Sequence, residues 1–594
     1  MLEHVLTRAL LALVTVGLSL PMLFQQQVLA ARADTESLGG PGRSLTFIST
    51  DKPLYRPGEQ VMARGLVLEA RAHTPLAHQV LAHVEVRGPK GDVVTSARVL
   101  SEHSVWGYSW TVPGDMAGGE YTLSVSYPYT GDAPAERKFD VRAYRAPRLK
   151  SQIEFLRDGY GPGDTVTATL DVKRAEGGVP SGARVTATAL VDGVTAAQVT
   201  GVVDARGLCT VSFKLPGQIE RGEGSLAFAI ADGGVVETAA KTIPILLRTL
   251  DLTLYPEGGD LVAGLPSRVY FQALTPAHKP ADLSGAVIEL ATGRVVAPVR
   301  SEHEGRGRFE LTPKAGVKYA LRIDEPSGIG EPFPLPEVKA RGAVLRASED
   351  VIPAGQPVVL SVGLSGVKQA KLTLSQREVE LASSLVDPDE KVILDPKGAD
   401  GVLIATVWDA DGRPLAERLV FRQPAQALSI EVKTNKPRYV PGEQVELTAR
   451  TTRGGKPVPA LVMLTVTDDA VLELIEKRDQ APQLPVMVLL EPEVKELADA
   501  QIYFDEKNPK AKRAVDLLLG TQGWRRFALA DAEQFVTRHG DPARRALAIR
   551  VPPPPPPPEA MPPAAPAIGG WRFPRPCRFR RPRQSPRPRR LPRP

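Results

Sequence analysis

Twelve residues near the start of this chain are nearly repeated 384 positions later. Residues 50–61 read TDKPLYRPGEQV, residues 434–445 read TNKPRYVPGEQV, and nine of the twelve positions are identical. Related turn sequences occur at 159–166, 255–262 and 351–358. They divide the chain into pieces of about 100 residues, the usual size of a small domain. This self-similarity indicates a chain built by duplicating a module.

Each repeated motif combines a tight turn with an alternating strand. Pro57 fixes φ near the value that a turn needs, and Gly58 accepts a positive φ without a Cβ clash. After the turn, Val61, Ala63 and Gly65 alternate with polar residues, as in a half-buried strand. The same alternation occurs at 165–172, 183–191, 268–274, 356–364 and 460–468. We therefore predict an all-β fold of tandem antiparallel β-sandwich domains of the immunoglobulin or fibronectin type, with a short helical region near the end.

The first 33 residues are typical of a secretory signal peptide. His4 and Arg8 precede an apolar run from Ala9 to Leu20, and small residues around Ala30 offer cleavage sites. The run is shorter than the roughly 20 residues of a membrane-spanning helix, although an uncleaved anchor stays open as an alternative. We expect a secreted, periplasmic or cell-surface protein.

The last residues have a composition that cannot build a core. Residues 551–558 include seven prolines, and residues 571–594 contain ten arginines and no acidic residue. We predict a disordered Pro/Arg-rich tail over 541–594. It is a linker, an arm that binds a membrane or cell surface, or the product of a shifted reading frame. Without these ten arginines, residues 1–570 carry a net charge of −4, which disfavours nucleic acid as a partner.

Three stretches resemble the alpha-2-macroglobulin family. TDKPLYRPGEQV is similar to the opening of the second macroglobulin-type domain of that family. YPEGGDLVAGLPSRVYFQA at 255–273 resembles the fourth domain, and TNKPRYVPGEQV followed by ALVMLTVTDDAVLEL at 460–474 resembles the sixth. The motifs occur in the family's order, which is a stronger signal than any one of them.

The resemblance implies a domain organisation for the whole chain. A signal peptide over 1–33 is followed by five macroglobulin-type domains, the second to the sixth of the family, and then by the tail. These domains are expected at 44–144, 145–248, 249–340, 341–425 and 426–540, with a bait-like or helical segment in the last.

The resemblance also implies a function, namely inhibition of endopeptidases. In this family an attacking protease cuts a flexible bait segment, the macroglobulin shell closes on the protease, and many members bind it covalently through a thioester in a Cys-Gly-Glu-Gln motif. Here Cys209 is followed by Thr-Val-Ser and Cys577 by Arg-Phe-Arg, so that motif is missing from this sequence. We therefore predict noncovalent engagement of proteases by a protein that is not an enzyme. The alternative is a structural or adhesive β-sandwich stalk at the cell surface.

Three dibasic pairs are candidate cleavage sites for trypsin-like proteases, because nicking concentrates in exposed loops and Pro-rich linkers. They lie in the bait-like region 475–568 and comprise Lys512, Arg513, Arg525, Arg526, Arg544 and Arg545. The alternative is that these pairs are ordinary solvated surface. Residues 517–529, LLLGTQGWRRFAL, are predicted to form an amphipathic helix that packs on a core.

The sequence offers little for metal or cofactor chemistry. His73, His78 and His83 are five residues apart, a spacing that places alternate members on opposite faces of a strand. Neither His-Glu-x-x-His nor Cys-x-x-Cys occurs in the sequence. We expect surface histidines, a buried Cys209, and no metal, cofactor or catalytic residues.

Overall fold

The computed structural model describes residues 38–550, except 41, 143–147, 158, 176, 246–249, 277, 327–328, 426–427, 441, 467–481 and 498. The predicted signal peptide, the polyproline run and Cys577 lie outside the described residues. Among the described residues, strands account for 49% and helices for 8%. The prediction of an all-β fold with a short helical region near the end is confirmed.

The first sandwich packs a five-stranded sheet, in the order β2-β8-β7-β4-β5, against a three-stranded sheet, in the order β1-β3-β6. Its strands are β1 (Ser44–Thr50), β2 (Leu54–Tyr55), β3 (Gln60–Glu69), β4 (Leu81–Arg87), β5 (Val93–Leu100), β6 (Val105–Thr111), β7 (Gly119–Ser126) and β8 (Ala135–Val141). Trp106 fills the core across Gly65, where an added Cβ would come within 1.9 Å of the indole ring. Only glycine fits at this point of β3.

The second sandwich has a three-stranded sheet, β13-β10-β9, and a four-stranded sheet, β12-β11-β14-β15. Its strands are β9 (Leu149–Phe155), β10 (Thr165–Arg174), β11 (Arg184–Val191), β12 (Val194–Val202), β13 (Leu208–Lys214), β14 (Gly224–Asp232) and β15 (Val235–Thr242). The alternation predicted at 165–172 and 183–191 lies in β10 and β11. Cys209 is 4% exposed in the core between the two sheets, as expected.

The third sandwich is one seven-stranded sheet, β16-β18-β21-β20-β19-β22-β23, with a short parallel pair β17-β24. Its strands are β16 (Asp251–Pro256), β17 (Leu261–Val262), β18 (Ser267–Leu274), β19 (Ser284–Glu289), β20 (Val295–His303), β21 (Arg306–Leu311), β22 (Tyr319–Glu325), β23 (Phe333–Pro334) and β24 (Val338–Lys339). Residues from both ends of the sheet pack in one core cluster, which includes Phe271 of β18 and Leu321 of β22.

The fourth sandwich pairs a three-stranded sheet, β25-β26-β29, with a four-stranded sheet, β28-β27-β30-β31. Its strands are β25 (Gly342–Ala347), β26 (Val358–Ser365), β27 (Ala370–Gln376), β28 (Val379–Val386), β29 (Glu390–Leu394), β30 (Gly401–Trp408) and β31 (Pro414–Arg422). Unlike most strands, β30 is buried on both faces, because a helical segment covers the side away from the sandwich core.

The last β unit is a single three-stranded ribbon, β32-β33-β34, with strands β32 (Leu428–Thr434), β33 (Leu447–Arg453) and β34 (Lys456–Pro457). All seven residues of β32 are exposed. The strand predicted at 460–468 is wrong over the described residues 460–466, which have no strand conformation. Within the described part of the chain these residues have no neighbouring strand to hydrogen-bond with, so alternation alone does not make a strand there.

The helical segment comprises helices α1 (Leu484–Leu489), α2 (Ala511–Gly520), α3 (Ala532–His539) and α4 (Asp541–Ala546), with 3-10 turns at Glu491–Glu493 and Gly523–Arg525. Leu490, Tyr503 and Leu518 pack with Phe421 of β31 in one core cluster. No helix among the described residues is long and apolar enough to cross a membrane.

Two expectations about this segment need correction. The predicted helix over 517–529 is wrong beyond Gly520, where α2 ends and the chain continues in turns. The ring of Tyr270 packs so closely that an added Cβ at Gly520 would lie 2.4 Å from it, so only glycine fits there. Leu518 and Leu519 are buried on α2 as predicted, whereas Trp524 lies beyond the end of the helix. The disordered tail predicted over 541–594 is wrong over residues 541–546, which form α4 with Ala543 fully buried.

Candidate functional site

The repeated motif forms a hydrogen-bonded turn in its first copy. The Tyr55 hydroxyl donates to Oδ1 of Asp51 at 2.6 Å and accepts the backbone N–H of Lys52 at 3.3 Å. Lys52 in turn forms an ion pair of 2.6 Å with Glu59. Gly58 takes a φ of 86°, as the turn requires.

The second copy reproduces this turn bond for bond. The Tyr439 hydroxyl donates to Oδ1 of Asn435 and accepts the backbone N–H of Lys436 at 3.1 Å. Lys436 pairs with Glu443, and Gly442 takes a φ of 84°. The nine shared residues therefore encode the same local structure in two places.

The two copies differ in what covers them. Val61 is fully buried in the first sandwich, whereas its counterpart Val445 is 48% exposed. Likewise Ile48 is 1% exposed, and Val432, which is 384 positions later, is 47% exposed. The five-stranded sheet that faces β1 and β3 has no equivalent over the ribbon within the described residues. In the second copy, residues equivalent to buried ones of the first sandwich therefore form an exposed apolar face. Such faces are typical of interaction surfaces.

A buried charge cluster connects the third sandwich, the fourth sandwich and helix α2. It consists of Glu257, Tyr270, Arg308, Arg418 and Asp516. Arg418 lies between two acids, with Nη1 at 2.6 Å from Glu257 and Nη2 at 2.7 Å from Asp516. The Tyr270 hydroxyl is 3.0 Å from both Asp516 carboxylate oxygens, and Arg308 also pairs with Asp516. The side chains of Glu257 and Asp516 are at most 1% exposed.

Burial sets the electrostatics of this cluster. It raises the pKa of Glu257, although the positive charges of Arg418 and Arg268 oppose that shift. It also raises the pKa of Tyr270, which therefore stays a hydroxyl donor at neutral pH. A carboxylate held between buried guanidinium groups is costly to break, because removing one partner leaves an unpaired charge in the interior. The cluster therefore fixes α2 against both sandwiches.

The sequence analysis overlooked these residues, although a signal was present. Glu257 belongs to the YPEGG turn, Arg418 directly precedes the apolar run LVF of β31, and Asp516 interrupts the apolar face of α2. Charged residues are almost never fully buried unless they are paired. A charge on the buried face of a predicted strand or helix is therefore a signal of a buried ion pair.

A cavity of about 260 Å³ lies beside the charge cluster. Its wall includes Tyr255, Glu417 and Arg526. Glu417 accepts the backbone N–H of Phe527 at 2.7 Å and the hydroxyl of Thr406 at 2.9 Å. Charged walls of this kind suit ordered water better than an apolar ligand.

The predicted cleavage residues do not lie together, and their exposure differs. Arg525 is 5% exposed and pairs with Glu493, and Arg526 lies 3.1 Å from Asp260. A protease needs several residues around the cut in an extended, accessible conformation. This pair is therefore poorly placed for cleavage in the folded protein.

The two other dibasic pairs are more accessible. Lys512 is exposed on the first turn of α2, whereas Arg513 is half-buried and lies 3.3 Å from Asp350. Arg544 and Arg545 are both exposed on α4, the last helix among the described residues. The structure thus favours Arg544 and Arg545 among the six predicted residues, and cleavage at any of them stays a prediction.

The three histidines considered as metal ligands have different environments. His78 is exposed, and His83 is half-buried at 4.0 Å from Glu85. His73 lies near Arg377, and burial together with that positive charge lowers the pKa of His73 to about 3. These environments fit separate roles for the three imidazoles.

Two comparisons with known proteins relate the chain to one family. The model of the MG2 domain matches residues 45–141, the span of the first sandwich. An alpha-2-macroglobulin from Ralstonia nicotianae is 23% identical over 488 residues, covering 72% of this chain. The chain is related to the alpha-2-macroglobulins. It spans 30% of the length of that relative.

Solved alpha-2-macroglobulin structures also resemble the chain. Trypsin-activated alpha-2-macroglobulin from Escherichia coli is 13% identical with a TM-score of 0.38, covering 70% of this chain and 33% of that one. Salmonella alpha-2-macroglobulin reacted with methylamine is 14% identical with a TM-score of 0.35, covering 76% of this chain and 34% of that one.

Proposed function

We propose that this protein binds proteases outside the cytoplasm and hinders their action on large substrates. The observation that carries the proposal is the relationship to alpha-2-macroglobulin over 72% of the chain, which includes an MG2 domain. The protein acts as a binding partner of proteases rather than as an enzyme. The N-terminal segment, with its basic start and apolar run, supports export.

Cleavage of a bait-like segment initiates binding in this proposal. The favoured site is the pair Arg544 and Arg545, because both side chains are exposed and a proline-rich stretch begins at residue 552. A short helix such as α4 has little intrinsic stability and opens readily for a protease. Lys512 is the second choice, since its partner Arg513 is held by Asp350.

Binding is noncovalent in this proposal. A thioester needs a cysteine and a glutamine in a Cys-Gly-Glu-Gln motif, and neither cysteine of this sequence is in one. Burial raises the pKa of the Cys209 thiol, which disfavours the reactive thiolate. The exposed apolar face of the ribbon, which includes Ile430, Val432 and Val445, is the contact surface that the proposal favours.

Co-elution tests the proposal directly. The protein is mixed with active trypsin or with trypsin whose serine has been blocked, and each mixture is separated by size-exclusion chromatography. We expect active trypsin to elute with the protein after a cut within 475–568, and blocked trypsin to elute alone. The rival hypothesis of a structural or adhesive stalk predicts slow cuts at many sites and no co-elution in either mixture.

A further inference from the structure

Three side chains from two remote chain segments meet between the third sandwich and the helical segment. His303 is the last residue of β20, Glu304 follows it in the turn to β21, and Asp499 precedes α2 by twelve residues. One ligand atom from each side chain, an imidazole nitrogen and two carboxylate oxygens, lies within 4.8 Å of the others. All three residues are half-buried. Folding thus brings two chain segments together with donors of the kind that bind metal ions.

The imidazole of His303 has a buried nitrogen without a hydrogen bond. Nε2 is inaccessible to solvent and has no hydrogen-bond partner, although Oδ2 of Asp499 is 3.3 Å away. The side chain is only 13% exposed. A buried polar nitrogen without a partner lowers the stability of the folded state. A ligand bound to Nε2 would remove that cost.

The separation of the two groups matches that of ligands on one ion. Nitrogen and oxygen ligands of zinc lie about 2.0–2.2 Å from the ion, so neighbouring tetrahedral ligands are about 3.4 Å apart. The observed 3.3 Å between Nε2 of His303 and Oδ2 of Asp499 agrees with that value. A hydrogen bond at this distance would need the ring N–H to point at the carboxylate, and that geometry is not present.

We propose that His303, Glu304 and Asp499 bind one divalent transition-metal ion, with zinc as the best match. One imidazole and two carboxylates are a donor set that zinc accepts, and water completes the coordination. Calcium and magnesium fit less well, since they prefer oxygen ligands alone.

The charged groups around the imidazole leave a net negative charge. Asp282 and Asp499 lie near the imidazole on the acidic side, and Arg306 and Lys510 on the basic side. The carboxylate of Glu304 adds a further negative charge. The three acids therefore outnumber the two basic residues by one, which favours a bound cation.

The ion would connect two parts of the fold. β20 and β21 belong to the third sandwich, and Asp499 belongs to the segment that leads into α2. A metal ion there would act with the charge cluster, because both fasten the helical segment to the third sandwich. This inference depends on these three side chains alone and not on protease binding.

Metal titration of the full chain tests the site. The protein is produced without a histidine tag, stripped with chelator, and titrated with Zn²⁺ by calorimetry and with Co²⁺ by visible absorption. We expect one Zn²⁺ per chain and Co²⁺ bands in the visible range. The bound zinc should also raise Tm, since a ligand of the folded state stabilises that state.

Variants separate the site from adventitious binding. His303→Ala and Asp499→Asn should each weaken zinc binding by more than about tenfold and abolish the Co²⁺ bands. Asparagine is chosen because Asp499 has a φ of 47°, which asparagine tolerates. His278→Gln removes an exposed histidine and should leave binding unchanged. Absence of a stoichiometric ion, or equal binding by Asp499→Asn and the wild type, overturns the proposal.

Discussion

Arg418 on β31 and Asp516 on α2 form an ion pair of 2.7 Å in which neither side chain is more than 5% exposed. The pair lies where the fourth sandwich, the third sandwich and the helical segment meet. Glu257 contacts the same guanidinium at 2.6 Å from the other side. One arginine therefore joins a turn of the YPEGG motif to the helix that carries Lys512 and Arg513, two of the candidate cleavage residues.

Loss of one partner should destabilise the fold strongly. Asp516→Ala leaves the guanidinium of Arg418 buried with one acid instead of two, and we expect a loss of about 3–5 kcal/mol in the free energy of unfolding. Chemical denaturation followed by tryptophan fluorescence measures it. Asp324→Ala, which removes an exposed pair with Arg322 on β22, is the control and should change stability little. An equally small effect of Asp516→Ala would contradict the assigned role.

The two motif copies offer a matched pair of substitutions. Val61→Ala removes two methyl groups from a fully buried side chain, so we expect a loss of about 2 kcal/mol. Val445→Ala makes the same change at a position that is 48% exposed, so the loss should be small. Thermal unfolding of both variants provides the comparison. Equal losses would mean that another surface covers the second copy.

Stability should depend on pH through Glu417. Burial raises its pKa, although the N–H of Phe527 and the hydroxyl of Thr406 favour the ionised form. A carboxyl group with a raised pKa in the folded state binds a proton on folding. Its contribution is therefore present at low pH and is lost as the pH rises through the folded-state pKa.

Glu417→Gln tests this dependence, because glutamine can bond to both partners without titrating. We expect the Tm of the variant, relative to the wild type, to increase as the pH rises above 4.5, the ordinary pKa of the group. Differential scanning calorimetry from pH 4 upward measures the difference. A constant difference across that range would show that Glu417 does not bind a proton on folding.

The strands could be predicted because their signal is local. The period-two alternation at 165–172 and 268–274 coincides with β10 and β18, where the apolar face of each strand packs into a sandwich core. The same signal at 460–466 gave a wrong strand, since alternation cannot tell whether a neighbouring strand exists. Likewise, the nine residues shared by the two motif copies predict the turn at Tyr439. They do not predict whether a second sheet buries Val445.

The helical segment was harder to predict because its packing depends on residues distant in sequence. Helix α2 stops at Gly520 against the ring of Tyr270, a residue 250 positions earlier. The two partners of the buried ion pair, Arg418 and Asp516, are 98 residues apart in sequence. Such pairs become visible only when the fold is known, although Asp516 stands out as a charge within an apolar run.

The order of proteolysis should follow exposure. Limited trypsin treatment should cut first at Arg544 or Arg545, which are exposed, and last at Arg525, which is 5% exposed and paired with Glu493. Intact-mass spectrometry of early time points identifies the cuts. The double variant Arg544→Gln, Arg545→Gln should delay the first cut. An early cut at Arg525 would contradict the described packing of the helical segment.

The most direct measurement of the central claim compares two substrates of one protease. Trypsin is incubated with an excess of the protein, and its hydrolysis of casein and of a small chromogenic amide is followed in parallel. Protease binding with the active site left free predicts a severalfold fall for casein and little change for the amide. Simple competition, in which the protein is only another substrate, slows both reactions. An equal fall for both substrates, or no fall for casein, would contradict the proposed function.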